Sequence, residues 1–436
     1  MTPAAPSRRR VVVTGMGVVS AAGTTLGDFW STLSAGRSCV RTISRFDASA
    51  FPSRIAGEVT GFDEEGALGR FWPTWRDRGR IAQWAMAATL SAVEDAALPL
   101  DPGSRERTGV VVATGLGTYG HAEVFGPVSA SRASRSAPFD GAVFGRELLA
   151  SVEPLAAERR TPGSVPARVA RDLGLLGPVS SVMTACAGGT QALGDAARWI
   201  RTGRCDAVLA GASDSELYPM GLASFCLLGA LSRRNDEPAR ASRPFDLDRD
   251  GFVIGEGAGV LVLEERERAL RRGARIRAEV LGFGGACDAW RATDPHPEGT
   301  GALLAMRRAL GDAGLSPESV GYVNAHGTST REGDRVEALA LAKLLGERLP
   351  SVPVSSTKSM LGHLTVAAGS VEAIATVLSL EEQVIPPTLN QETPDPACPL
   401  DTVPNAARRA RFDVALSNSF AFGGQTAALL LSRDDG

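Results

Sequence analysis

Lysine is nearly missing from this chain. Of 436 residues only Lys343 and Lys358 are lysine, although lysine and arginine together number 46. The bias suits a GC-rich coding sequence, and it makes a lysine kept at position 358 conspicuous. Charge of one sign is missing too. A net charge of −3 leaves no basic field of the kind that nucleic-acid binding needs, and no acidic tail. No uninterrupted apolar stretch reaches the length of a membrane span. Arg8-Arg9-Arg10 is followed by Val11-Val12-Val13, which reads as a strand ending in Gly15 rather than as the apolar core of a signal. These absences predict a soluble, cytoplasmic protein with no nucleic-acid or membrane partner. Cysteines stand singly at 39, 186, 205, 226, 287 and 398. Without a CxxC pair, neither a zinc site nor a thioredoxin-type motif is indicated, and no metal is expected. Five of the six read as small buried apolar residues.

What is present is a large apolar share, 44%, in a chain long enough for two ordinary domains or one large one. Self-similarity divides the chain near residue 270, giving halves 1–269 and 270–436. Strand Arg10–Gly15 opens the first half, and Ala278–Gly284 the second. An Ala-rich amphipathic helix follows in each, Ile81–Leu98 and Gly301–Leu315, with similar tails Val93–Leu98 and Leu310–Leu315. A strand then runs into a Gly-rich turn, Gly109–Gly115 and Gly321–Gly327. Small-residue turns open a third helix at Cys186 and after His363. Closing strands lie at Ala207–Gly211 and Gly257–Leu263, then at Ala415–Ser417 and Ala427–Leu431. Strands alternating with helices predict an α/β protein of mixed, mostly parallel sheets with helices on both faces. Two such halves would set the Cys186 turn opposite the two histidine turns.

Those turns carry the chemistry. Cys186 lies in Thr184-Ala185-Cys186-Ala187-Gly188-Gly189, a tight turn that opens a helix. A helix N-terminus can favour thiolate, the nucleophilic form. Two of the four histidines follow in motifs of their own, His326 in Asn324-Ala325-His326-Gly327-Thr328-Ser329-Thr330 and His363 in Lys358-Ser359-Met360-Leu361-Gly362-His363. Imidazole offers a donor or a proton acceptor near neutral pH. One cysteine and two histidines in Gly-rich turns suit thioester and enolate chemistry. His121 and His296 have no partner motif and read as loop residues.

Together these motifs resemble the β-ketoacyl synthases of the thiolase-like fold, from Val11 to Leu431. Ser242-Arg243-Pro244-Phe245-Asp246, Arg249-Asp250-Gly251-Phe252-Val253 and Asn418-Ser419-Phe420-Ala421-Phe422-Gly423-Gly424 match as well. Within the family the chain resembles the ketosynthase subunits of actinomycete type II polyketide synthases, on Thr330–Glu337, Arg272–Glu279 and Ile385–Cys398. Four positions depart from the pattern. Gly188 stands where Ser or Thr is more usual, Ala421 replaces a glycine of the gating loop and should stiffen it, and Gln425-Thr426 replaces a different pair.

The resemblance implies two pseudo-symmetric halves in five layers, αβαβα. It implies a decarboxylative Claisen condensation. Cys186 would hold the acyl chain, the N–H groups of Cys186 and Phe422 would form an oxyanion hole, and His326 and His363 would donate to the enolate oxygen. Lys358 and Glu372 would support the second histidine; the plainer reading is a surface lysine and a glutamate on a helix face. Phe225, Phe422 and Gly423 would gate the pocket, and Thr328 and Thr330 would line the pantetheine channel. Asp334 and Glu337 would hold the turn after His326. No cofactor is implied beyond 4′-phosphopantetheine on the acyl carrier protein that brings the substrates. A basic patch should receive that carrier, with Arg70, Arg76, Arg78 and Arg80 or Arg233 and Arg234 as candidates. The implied assembly is a dimer with a paralogous chain-length-factor-like subunit or with itself, and residues Val124 to Ala157 should shape the pocket floor and the partner surface. Three other readings are weighed: a housekeeping fatty-acid synthase, a non-catalytic chain-length factor, and a hydrolytic Cys-His enzyme.

Overall fold

A computed structural model describes residues 8–115, 121–134, 136–151 and 161–434. Its centre is one ten-stranded sheet. In chain order the strands are β1 (Val11–Ser20), β2 (Thr108–Thr114), β3 (Val179–Val182), β4 (Ala207–Asp214), β5 (Gly257–Glu265), β6 (Ala278–Cys287), β7 (Tyr322–Asn324), β8 (Val354–Ser355), β9 (Val414–Phe420) and β10 (Gln425–Ser432). In space they run β8-β7-β9-β10-β6-β1-β5-β4-β2-β3. Read outward from the β1–β6 seam, the two sides have the same order and the same directions. β1 and β5 are antiparallel, as are β5 and β4, while β4, β2 and β3 are parallel. β6, β10, β9, β7 and β8 repeat that pattern. Four strands of each five therefore point one way, which makes each half mostly parallel. The seam is antiparallel, Val12 opposite Glu279 and Val13 opposite Ala278.

The first strand of each half carries a Gly-x-Gly. A methyl group built on Gly15 or Gly17 would stand 2.4 Å from Ala92 O and 2.0 Å from Ala88 O; on Gly282 or Gly284, 2.1 Å from Ala309 O and 2.0 Å from Ala305 O. Bare backbone is what lets helix α1 (Arg80–Asp95) lie on β1 and helix α4 (Thr300–Ala313) lie on β6. Ala85, Ala88 and Ala92 line one face of α1, and Ala302, Ala305 and Ala309 that of α4, at three- and four-residue spacing. The similar tails close alike. The N–H of Leu98 bonds Val93 O and that of Leu315 bonds Leu310 O, each at 3.0 Å, a six-to-one cap around Ala97 (φ 44°) and Gly314 (φ 68°).

Helices α2 (Ser164–Leu173) and α5 (Arg331–Leu345) share the outer layers with α1 and α4. Between the two five-stranded halves of the sheet lie α3 (Gly188–Arg201) and α6 (Ala368–Glu382), packed on each other. α6 is buried at every position from Ala368 to Leu380, as expected for a helix without a polar face. The layering is αβαβα.

Two expectations fail. His121 opens a helix, His121–Ala130, instead of lying in a loop. Cys287 is exposed and Cys226 half-buried; only Cys39, Cys205 and Cys398 fit the buried reading. The segment expected to form the pocket floor holds two mutually packed helices, His121–Ala130 and Gly141–Ser151, and its remainder, 152–157, lies outside the described residues. Among the described residues no helix is long and apolar enough to cross a membrane.

Candidate active site

The parallel strands β2, β3 and β4 end on one edge, where α/β folds gather ligands. Beyond β3 the backbone turns sharply. Ala185 takes φ 45°, the short turn Ala185–Ala187 is closed by Ala187 N–H to Thr184 O at 3.1 Å, and α3 begins at Gly188. Cys186 is thereby held above the start of a buried helix. The second half builds the same turn, Thr365 at φ 48° and then Thr365–Ala367 ahead of α6.

His363 sits just before that second turn. Its N–H bonds Val253 O at 2.7 Å and its carbonyl accepts from Gly255 at 2.9 Å, fixing the backbone against the Arg249–Val253 motif. Its Nε2 lies 3.0 Å from Cys186 Sγ. His326 follows β7. Glu337 on α5 accepts from the N–H of His326 at 2.9 Å and of Gly327 at 2.7 Å, and Asp334 accepts from those of Thr328 and Ser329. The two imidazoles stand edge to face, centroids 5.3 Å apart at 86°. Phe252 packs edge-on against His363 at 5.4 Å, with Phe225 behind it at 5.6 Å.

Both imidazoles are buried and Cys186 is half-buried. Burial, and after it the positive charge of Lys358, hold both histidines well below 6.5, so both are neutral at neutral pH. Burial pushes the Cys186 thiol up to about 12; Lys358 and the N–H groups of Cys186 and Phe422 pull it back, while Asp214 opposes them. Desolvation thus outweighs the field that the helix start supplies. The resting site holds a thiol beside a neutral imidazole. Lys358 is no surface lysine. It is 2% exposed and its ammonium pairs with the carboxylate of Glu372 beneath the histidines. Burial lifts Glu372 to about 7 against the pull of Lys358.

A cavity of about 380 Å³ reaches Cys186 from the surface. Phe225, Phe422, Thr328, Thr330, His326 and His363 line it; Lys358 and Glu372 lie behind. Thr328 and Thr330 hydroxyls are 3.0 Å apart. Gly423 (φ 80°) is next to Phe422, and its N–H bonds Ala292 O at 2.7 Å. Ala421 sits at φ −129°, ψ 155°, where any residue fits. The cavity mouth is richer in carboxylates than expected, with Asp250, Asp288, Asp294 and Glu332 beside Arg331. Of the two arginine groups, Arg233 and Arg234 flank this mouth through Asp250.

Sequence reasoning missed Phe252 as a wall of His363, and missed Asp214. The carboxylate of Asp214 accepts from Thr365 Oγ1, from Val366 N–H at 3.1 Å and from Ser215 N–H at 2.9 Å, pinning the second turn to β4. The signal was there, an acid closing the otherwise apolar run of β4. Among the described residues no group of three or more His, Cys, Asp or Glu side chains could hold a metal ion.

Residues 8–269 match the family model "Beta-ketoacyl synthase, N-terminal domain", and 277–392 match its C-terminal counterpart. The chain is 42% identical to the 3-oxoacyl-[acyl-carrier-protein] synthase 2 of Synechocystis sp. over 98% of each protein. It is also 42% identical to the tetracenomycin polyketide synthase ketoacyl synthase alpha subunit of Streptomyces glaucescens, again over 98% of each. The solved ishigamide ketosynthase/chain length factor superposes with a TM-score of 0.85 at 37% identity, over 98% of this chain and 100% of that one. The chain belongs to the β-ketoacyl synthase family of condensing acyltransferases.

Proposed function

We propose that this chain elongates a polyketide acyl chain by decarboxylative condensation. The observation that carries the reading is the convergence of two neutral imidazoles on one thiol, with His363 Nε2 at 3.0 Å from Sγ. Cys186 attacks an acyl thioester while His363 takes its proton. The N–H groups of Cys186 and Phe422 hold the oxyanion, and the departing pantetheine thiolate recovers the proton. A malonyl thioester on an acyl carrier protein then loses carbon dioxide. His326 and His363, the latter now in its Nε2–H tautomer, donate to the enolate oxygen, and the carbanion attacks acyl-Cys186, whose sulfur leaves as thiolate and is reprotonated from water. The products are a β-ketoacyl carrier thioester and free Cys186. Burial, and then Lys358 paired with Glu372, keeps both imidazoles neutral. Phe225, Phe422 and Gly423 gate the pocket, and Thr328 and Thr330 guide the pantetheine arm.

The partner we assign is an acyl carrier protein, received beside Arg233 and Arg234. We also assign a second subunit, either a chain-length-factor-like paralogue or another copy. The edge strand β3 supports this, with Leu176, Val179 and Met183 exposed along it. We divide the chain functionally at 1–269, bearing the nucleophile, and 270–436, bearing the histidines, and place it in the cytoplasm. Fatty-acid elongation is the second reading, supported by equal identity to the fatty-acid and polyketide relatives. Mass spectrometry of the intact protein with acyl- and malonyl-loaded carrier protein tests the proposal. An acyl adduct on Cys186 that malonyl-carrier discharges is expected. No adduct, or an adduct that only water discharges, would overturn it in favour of no acyl transfer or of hydrolysis.

A further inference from the structure

Near Phe225, outside the cavity lining, lies a carboxyl that the condensation does not use. After β4 the side chains alternate. Asp214 faces the Thr365–Val366 turn, Ser215 turns away to donate to Glu256 at 2.6 Å, and Glu216 returns to the Asp214 side. Thr365, the partner of Asp214, lines the cavity. Glu216 lies against the first turn of the helix Pro219–Leu227. A methyl group built on Gly221 would stand 2.4 Å from Glu216 O and 2.9 Å from both Glu216 Oε2 and Tyr218 Cε1, so the bare backbone there makes room first for the carbonyl of Glu216 and then for its acid. Gly221 and Phe225 are four residues apart and share a helix face. Phe225 lines the cavity at Cys186, and Glu216 lies against the same helix one turn earlier, at Gly221. Burial, and then the charge of Asp214, raise Glu216 to about 8 despite a hydrogen bond with Tyr218. At neutral pH it is a carboxylic acid, offering one O–H donor and one acceptor.

We propose that Glu216 determines acyl specificity by hydrogen-bonding a hydroxyl, carbonyl or amine that the acyl chain carries past Phe225. The inference rests on the acyl-transfer reading above. Glu216 touches no reacting atom; it selects among chains that Cys186 accepts. A plain alkyl chain in that space would strip the acid of water and return no hydrogen bond.

The test is the rate of Cys186 acylation, followed by mass spectrometry of the intact protein. The donors are N-acetylcysteamine thioesters of octanoate and of hydroxyoctanoates with the hydroxyl moved along the chain. Each rate is divided by the acetyl-transfer rate of the same protein. At least one hydroxy isomer should load about tenfold faster than octanoyl, the worth of one buried hydrogen bond. Glu216→Leu should erase that preference and Glu216→Gln should keep most of it. A wild-type ratio near one for every isomer would overturn the proposal, whether or not Glu216→Leu folds. So would a preference that Glu216→Leu leaves intact. Failure of the wild-type chain to take even acetyl on Cys186 would overturn the ketosynthase reading, and this proposal with it.

Discussion

Ala185 and Thr365 hold the same left-handed backbone, φ 45° and 48°, one residue ahead of Cys186 and of Val366. The two turns meet face to face. A methyl group built on Gly188 would lie 2.7 Å from Val366 Cγ1 and 3.1 Å from Ala113 Cβ. The small residue at 188, a departure from the family pattern, is thus matched to a branched residue on the opposite turn. Gly188→Ser should destabilise the fold by about 1–3 kcal/mol through overpacking. Val366→Ala in the same chain should recover most of the loss. Urea unfolding of the three variants measures both effects.

Cys186→Ala should abolish acyl transfer while leaving the far-ultraviolet spectrum unchanged, since the side chain is small and borders the cavity. Intact-mass detection of a stable acyl group on another cysteine of the variant would assign the nucleophile elsewhere.

The histidines should separate under mutation. His326→Ala and His363→Ala should each slow condensation by about 10²–10⁴-fold. Only His363 touches the sulfur, so His363→Ala should also slow self-acylation, whereas His326→Ala should load Cys186 nearly normally. Single-turnover loading and malonyl decarboxylation, run in parallel, distinguish the two. Condensation at the wild-type rate in either variant would remove that histidine from the reaction.

The pH profile follows from the neutral imidazoles. Acyl transfer needs unprotonated His363, and its pKa is held well below 6.5. Protonation therefore begins only at a pH below the ordinary histidine range, and single-turnover acylation should stay level from pH 8 down through 6.5 and fall only beneath it. A drop centred at 6.5 or above would mean that the imidazole is not desolvated as the structure has it.

Lys358 and Glu372 are buried together, so removing one strands the other. Lys358→Met should cost about 3–5 kcal/mol, and Lys358→Met with Glu372→Gln clearly less than the sum of the single changes. Denaturant titration checks the stability. If the pair acts only structurally, the double variant should also regain activity; if the positive charge matters to the histidines, it should not.

Much of this was legible in the sequence because the repeat is written in small residues. Gly15-Met16-Gly17 and Gly282-Phe283-Gly284 mark where a helix must touch a strand, and the Ala-rich stripes of α1 and α4 mark which helix does so. Cys186, His326 and His363 were legible for the same reason, each lying in a turn too tight for larger neighbours. What stayed hidden depends on distance in space. Asp214 and Thr365 are 151 positions apart and form one hydrogen bond. Nothing local to Phe252 shows that it meets His363. The raised thiol pKa was not legible either, because the sequence shows a helix start but not how far water is excluded from it.

The two halves of the sheet are stitched at Val12–Glu279 and Val13–Ala278, yet the Cys186 thiol is drawn toward thiolate by an N–H from each half, its own and that of Phe422. Its reactivity is therefore a vernier on how the halves are seated. A shear of about an ångström can lower a well-aligned rate a hundredfold while leaving every strand and helix intact. In mild denaturant the enzyme should fall silent before it unfolds, with acylation at Cys186 fading ahead of any change in circular dichroism.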